Sequence, residues 1–152
     1  MVSSAHTSSR PDSQGIPQIV GNPGGFVIEL EDGKKVYARG DSGLTAEMKL
    51  VVGDFHKPDI AILPATGSVV MEPEQAAYAA NMTGCSYIIP FHDFPKAISE
   101  AADPEGYAEF LNEDPFGVLE SYRKIDRFMD LVQNDYPHIK GIYLPIGDSV
   151  EL

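Results

Sequence analysis

Two short runs limit this chain most. Ile60-Ala61-Ile62-Leu63-Pro64 and Tyr87-Ile88-Ile89-Pro90-Phe91 are apolar at every position. Successive side chains of a strand point to opposite faces, so each run presents apolar groups on both faces of its sheet. Such strands need cover on both sides. Between them, Glu72-Pro73-Glu74 opens a helix to about Met82, ending near Gly84. Proline suits its first turn, and the acids suit the positive end of the helix dipole.

The other elements fit around this pair. Phe26 to Leu30 reads as a strand, Glu31-Asp32-Gly33-Lys34 as a hairpin turn, and Val36-Tyr37-Ala38 as the returning strand. Thr45 is a plausible cap for a helix to about Phe55, with Leu44, Met48, Val51 and Phe55 at helical spacing. Helices are expected from Gly106 to Leu111 and from Val118 to Asn134. In the second, Val118, Tyr122, Ile125, Met129 and Val132 form a stripe suited to core packing. A last strand is expected from Ile139 to Ile146. The order is β-β-α-β-α-β-α-α-β, an α/β layer. The chain divides into residues 1–25, rich in Ser, Pro, Gly and Gln and expected to be irregular, a β-β-α-β-α-β unit over 26–100, a helical stretch over 101–138, and the final strand over 139–152. The helices could cover one face of the sheet, and nothing obvious covers the other.

The 152 residues suffice for one domain with a core. A formal net charge of −12 argues against nucleic-acid binding, which needs clustered Lys and Arg. No run is long enough to span a bilayer, and no basic start followed by an apolar block marks a secretory leader. The single Cys85 has no internal disulfide partner and suits a small buried position. A cytoplasmic protein is the expectation.

Three residues could carry chemistry. Asp41 follows one strand, His92 follows another, and His6 lies in the N-terminal segment. Functional groups of α/β sheets gather where strand C-terminal ends meet loops. Two imidazoles and a carboxylate are ordinary ligands for zinc, manganese or iron. Arg39-Gly40-Asp41-Ser42 also matches a cell-adhesion tetrapeptide. Adhesion needs export and an exposed loop tip, whereas this tetrapeptide ends an apolar strand, so Asp41 reads better as a ligand.

The succession of motifs resembles a known family. The chain has Gly40-Asp41-Ser42-Gly43, then Lys57-Pro58-Asp59, then Ile62-Leu63-Pro64. It continues with Met71-Glu72-Pro73-Glu74-Gln75-Ala76 and Pro90-Phe91-His92. Ala5-His6-Thr7-Ser8-Ser9 precedes them, and Gly147 to Leu152 closes the chain. This order looks like the C-terminal half of a metallo-β-lactamase-fold metal-dependent hydrolase, in the branch of the ascorbate-6-phosphate lactonase-like proteins. The resemblance implies a half of an αββα sandwich, with a mixed sheet and helices on one face. It implies that Asp41 bridges two divalent metals, zinc or manganese, with His6 and His92 each serving one. Such a pair supplies a water that ionises near neutral pH, for attack on a carbonyl or phosphoryl centre. Gly40 and Gly43 would let the backbone turn beside the site, and Ser42 would orient Asp41 from behind.

The chain departs from the family in three ways. The family's His-x-His-x-Asp-His motif is absent, since the four histidines, His6, His56, His92 and His138, are not so spaced. Arg39 places a cation beside the ligand, and must turn away from a metal. His92-Asp93-Phe94-Pro95 is shorter than the family's usual run. His56 suits a helix end and His138 a turn. A half-sandwich would leave one sheet face bare, large enough to drive association. The expectation is a small-molecule ester, lactone or phosphoester hydrolase that is inactive alone, or active only when completed by a second copy or a separate N-terminal half. The alternative is a non-catalytic binding or structural module that keeps the half-fold.

Overall fold

A computed structural model of the chain describes residues 1–6, 8–93, 96–114 and 117–152, with side chains omitted at 96–98. Thr7 of the N-terminal motif, and Phe94 and Pro95 after His92, lie outside the described residues.

The main sheet has six strands in the order β1-β4-β5-β6-β7-β8. They are β1 (Val2–Ser3), β4 (Gly24–Glu29), β5 (Lys35–Ala38), β6 (Ile60–Pro64), β7 (Tyr87–Phe91) and β8 (Lys140–Gly141). β2 (Ser9–Pro11) and β3 (Pro17–Ile19) form a separate two-stranded ribbon. β1 and β5 pair antiparallel with β4, while β5 to β8 run parallel. The sheet is mixed, as expected of this fold class. The two all-apolar runs are its neighbouring strands β6 and β7, and the hairpin turn is closed by Leu30 N–H donating to the Lys34 carbonyl.

The helices are a π-helical segment (Met48–His56), α1 (Pro73–Thr83), α2 (Lys96–Ala102), α3 (Pro104–Glu113) and α4 (Val118–Asp135). Of these, α1 and α4 lie directly against one face of the sheet. α1 opens with a reciprocal capping pair, Glu72 and Gln75, and closes on Gly84 at φ 68°. It packs between the π-helical segment and α4, over β6, and α4 also packs on β8. Tyr37, Ala61, Leu63 and Ile88 point into this layer and meet Met48, Val52, Ala76, Ala80, Ile125, Phe128 and Val132, all buried. Gly53 lets the π-helical segment approach α1, because a Cβ there would stand 2.2 Å from the Met82 carbonyl oxygen.

The opposite face is apolar and open. The strand register lines up Phe26, Ala38, Ile62 and Ile89 in one row, and Ile28, Val36, Ile60 and Tyr87 in the next. Phe26 is 55% exposed and Ile28 48% exposed, while Ile60 is buried. Among the described residues no helix covers these rows, and no helix is long and apolar enough to cross a membrane.

Several details differ from the sequence reading. Residues 1–25 are not irregular throughout, since β1, β2 and β3 form there. β2 and β3 are exposed and lack apolar alternation, and they are joined by a turn in which the Asp12 carboxylate accepts from Gln14 and Ile16 N–H. The helix expected over 45–55 is wound as a π-helix, which buries Met48 and Val52 and leaves Phe55 76% exposed. Phe128 joins the α4 stripe as its most buried member. An extra helix, α2, fills part of the 92–103 stretch. The last strand is only Lys140–Gly141, followed by a single further ladder bond from Ile142 N–H to Ile88 O.

Candidate metal centre

Four parallel strands end on one side of the molecule, and their exits build the site. β5 runs out through Arg39 and Gly40 to Asp41. β6 runs out to Thr66, β7 to His92, and β8 to Tyr143. Gly40 is needed for space rather than for a positive φ. A Cβ there would stand 2.9 Å from the Gly24 carbonyl oxygen on the neighbouring strand.

Asp41 and His92 face each other from either side of the β6 exit. His92 Nε2 lies 3.7 Å from Asp41 Oδ2. That is too long for a hydrogen bond. Two donors on one zinc, each at about 2.0–2.2 Å, stand about 3.4 Å apart at the tetrahedral angle. The pair is therefore spaced nearly as two ligands of one ion. Both side chains are reachable, at 32% exposure for His92 and 43% for Asp41.

Thr66 holds the imidazole in place. Its hydroxyl donates to the His92 carbonyl oxygen at 3.1 Å, and its oxygen lies 2.8 Å from His92 Nδ1. A hydroxyl has one proton. With that proton on the carbonyl, Nδ1–H donates to the threonine, and Nε2 is left with its lone pair towards Asp41. A partner on the second ring nitrogen is how metal-binding histidines are commonly held. His92 also has φ 80°, a region that residues other than glycine seldom adopt. Such outliers concentrate at functional sites.

Below His92, the Tyr143 hydroxyl donates to Asp93 Oδ2, joining the β7 and β8 exits. Burial, with that bond, pushes the Tyr143 hydroxyl up to about 12, so it remains a donor over the ordinary pH range. A cleft of about 370 Å³ opens beside His92, walled by Thr66, Gly67, Ser68, Asp93, Val118 and Ser121.

The N-terminal segment docks on the Asp41 loop. The Ser4 hydroxyl donates to the Asp41 carbonyl at 2.7 Å, Ala5 N–H donates to Ser42 Oγ at 3.1 Å, and Gly43 N–H donates to the Ala5 carbonyl at 3.0 Å. These bonds bring half-buried His6, the next residue, to the same loop. The Ser42 hydroxyl gives its one proton to the Gly43 carbonyl at 2.7 Å, so it acts on the backbone that presents Asp41. Among the described residues, no three His, Cys, Asp or Glu side chains stand grouped to hold a metal. Two donors meet, and the third candidate sits on the adjoining segment.

Arg39 turns away from Asp41. It is 2% exposed, and its guanidinium donates to the Ser3 carbonyl and to Ser42 Oγ. The adhesion tetrapeptide is not on display, because its arginine and serine are both buried. Thr66, Tyr143 and Ser4 were not singled out from the sequence. Thr66 was within reach of the strand-exit rule that found Asp41 and His92, since only Ala65 separates it from the end of β6. Tyr143 and Ser4 carried no local signal.

No protein-family model matches the chain. It is 44% identical over 121 residues to a UPF0173 metal-dependent hydrolase of Methanosphaera stadtmanae, covering 78% of this chain and 50% of that protein. Its sequence relatives are UPF0173 metal-dependent hydrolases. A second, from Chloroflexus aurantiacus, is 35% identical over 119 residues, covering 77% of this chain and 46% of that one. The structure resembles a metallo hydrolase of the hyperthermophilic archaeon Ignicoccus hospitalis, with a TM-score of 0.60 and 25% identity over 96% of this chain and 49% of that one. The chain thus spans about half the length of the UPF0173 hydrolases it matches.

Proposed function

We propose that the chain is a metal-dependent hydrolase whose site is finished by residues it does not itself supply. The observation that carries this reading is the facing of Asp41 and His92, with the Thr66 hydroxyl 2.8 Å from the other ring nitrogen of His92. The UPF0173 relatives support it by name.

Asp41 and His92 would hold one divalent metal, zinc or manganese, and His6 with Asp41 would serve a second. Bound metal would supply an acidified water and positive charge for a developing oxyanion. The chain's own groups do the rest. Thr66 holds the His92 ring in place, Ser4 and Ser42 fix the loop that carries Asp41, and Tyr143 anchors Asp93 beside the cleft. That cleft would seat the remainder of a small ester, lactone or phosphoester, as in the ascorbate-6-phosphate lactonase-like branch. The open rows around Phe26 and Ile28 would take the completing half, a separate N-terminal polypeptide or a second copy. A cytoplasmic setting fits this chemistry.

The test is reconstitution. The chain is mixed with zinc or manganese and with the N-terminal half of the Methanosphaera stadtmanae relative, expressed separately, and assayed on chromogenic esters, lactones and phosphodiesters. Hydrolysis that needs both polypeptides and disappears with Asp41→Ala is expected. Hydrolysis unchanged by Asp41→Ala, or none with a stably formed complex, would point to a binding module instead.

A further inference from the structure

Arg39 is the most unusual residue near the site. Its guanidinium is buried, its charge is felt by the Glu47 carboxylate without a direct ion pair among the described residues, and its Nε has no hydrogen-bond partner among them. Burying a charge is costly unless it is well paired, and replacing such a group with an apolar one is often neutral or stabilising. Stability alone is a weak reason for an arginine here.

Its bonds suggest another role. One end of the guanidinium donates to the Ser3 carbonyl, on the N-terminal strand. The other donates at 2.7 Å to Ser42 Oγ, which also accepts from Ala5 N–H and donates to the Gly43 carbonyl. That hydroxyl is thereby fully used, with one donor and two acceptor positions filled. Two segments 37 residues apart meet on it. Ala5 immediately precedes His6, and Ser42 immediately follows Asp41. Whatever fixes Ala5 against Ser42 therefore fixes the spacing of two candidate ligands.

We propose that Arg39 is a positioning residue of the metal centre, stapling Ser3–Ala5 to the Asp41–Gly43 loop so that His6 is carried to Asp41. The rigid fork suits this task because it reaches two acceptors at once, which a lysine ammonium on a flexible stem does poorly. This role rests on the functional reading above. The staple itself does not, and the two are measured separately.

The experiment compares native chain, Arg39→Met, Arg39→Lys, Ser42→Ala and His6→Ala by amide hydrogen exchange and by zinc titration. Arg39→Met should leave exchange in β6 and β7 unchanged, at Leu63 and Ile88, while Ala5 and Gly43 lose at least about tenfold in protection. Zinc affinity should fall about 10–100-fold, the range found when groups supporting a ligand are removed, and about as far as in His6→Ala. Arg39→Lys should fall between native and Arg39→Met. His6→Ala should lose zinc affinity yet keep Ala5 and Gly43 protected, which separates a ligand from a positioner. Should Arg39→Met fail to fold, Ser42→Ala removes the shared hydroxyl and should give the same two losses. Full protection in a folded Arg39→Met would overturn the staple. Native zinc affinity after protection is lost would overturn the positioning role. A native chain that takes no zinc even when mixed with the completing N-terminal half would defeat the functional reading and the positioning role together, even if the exchange data upheld the staple.

Discussion

The two faces of the six-stranded sheet are built from similar residues and have different fates. On one face, Tyr37, Ala61, Leu63 and Ile88 have no exposed surface, and helices close over them. On the other, Phe26 and Ile28 are about half exposed in rows continued by Ala38, Ile62, Ile89 and Val36. Apolar patterning says which residues favour cover; only the fold says which have it. Under the proposed function, the bare face is where a completing half would pack. The comparison is broken if the two faces respond alike to the same kind of change.

The largest effect is expected at the centre of the covered face. Phe128→Ala should cost about 3–5 kcal/mol, read as a lower urea midpoint with an unchanged slope. Next is Gly53→Ala, whose new Cβ would meet the Met82 carbonyl oxygen at 2.2 Å and push α1 away from the π-helical segment. A loss of about 1–3 kcal/mol is expected from such overpacking, measured the same way. On the open face, Phe26→Ser and Ile28→Ser should each stay within about 0.5 kcal/mol in the isolated chain. They should instead reduce apolar-dye binding and self-association in dilute gel filtration. A loss at Phe26 as large as at Phe128 would show that the open face is packed after all.

The smallest effect concerns Tyr37. Burial pushes its hydroxyl from 10.0 up to about 12, against the pull of the nearby Arg39 charge. The folded state therefore favours the protonated form. Stability tied to that proton is fully present below pH 10, the ordinary value, and is lost as pH rises towards 12. Tyr143 contributes in the same direction. Tyr37→Phe should flatten this alkaline slope without removing it. It should change stability little at pH 7, because the buried hydroxyl sits beside the Arg39 guanidinium without a well-formed hydrogen bond.

Much of the covered layer was legible in the sequence. β6 and β7 were bounded by clear breakers, Pro58-Asp59 and Thr83-Gly84, and their apolar runs left no other reading. α1 announced itself through Glu72-Pro73 and the closing Gly84. The exposed β2 and β3 were missed because they lack apolar alternation, and β1 because its stability comes from a distant partner strand. β1 is two residues long and exists through its pairing with Gly24 and Gly25. The π-helical winding was invisible to a search at ordinary helical period, and so Phe55 was assigned inward. At the site, strand-exit logic found Asp41 and His92. It could not foresee that Thr66 would face the His92 ring, or that Arg39 would turn inward onto Ser3 and Ser42, since both depend on contacts across the sheet.

The central claim is that Asp41 and His92 share a metal at the C-terminal edge of the parallel strands. Calorimetric titration of the purified chain with zinc tests it most directly, with Asp41→Ala and His92→Ala titrated alongside. The account predicts saturable binding to the native chain that each substitution abolishes or weakens at least about 10-fold, the loss of one of few protein ligands. No binding by the native chain even with the completing N-terminal half present, or binding that survives both substitutions, would contradict it.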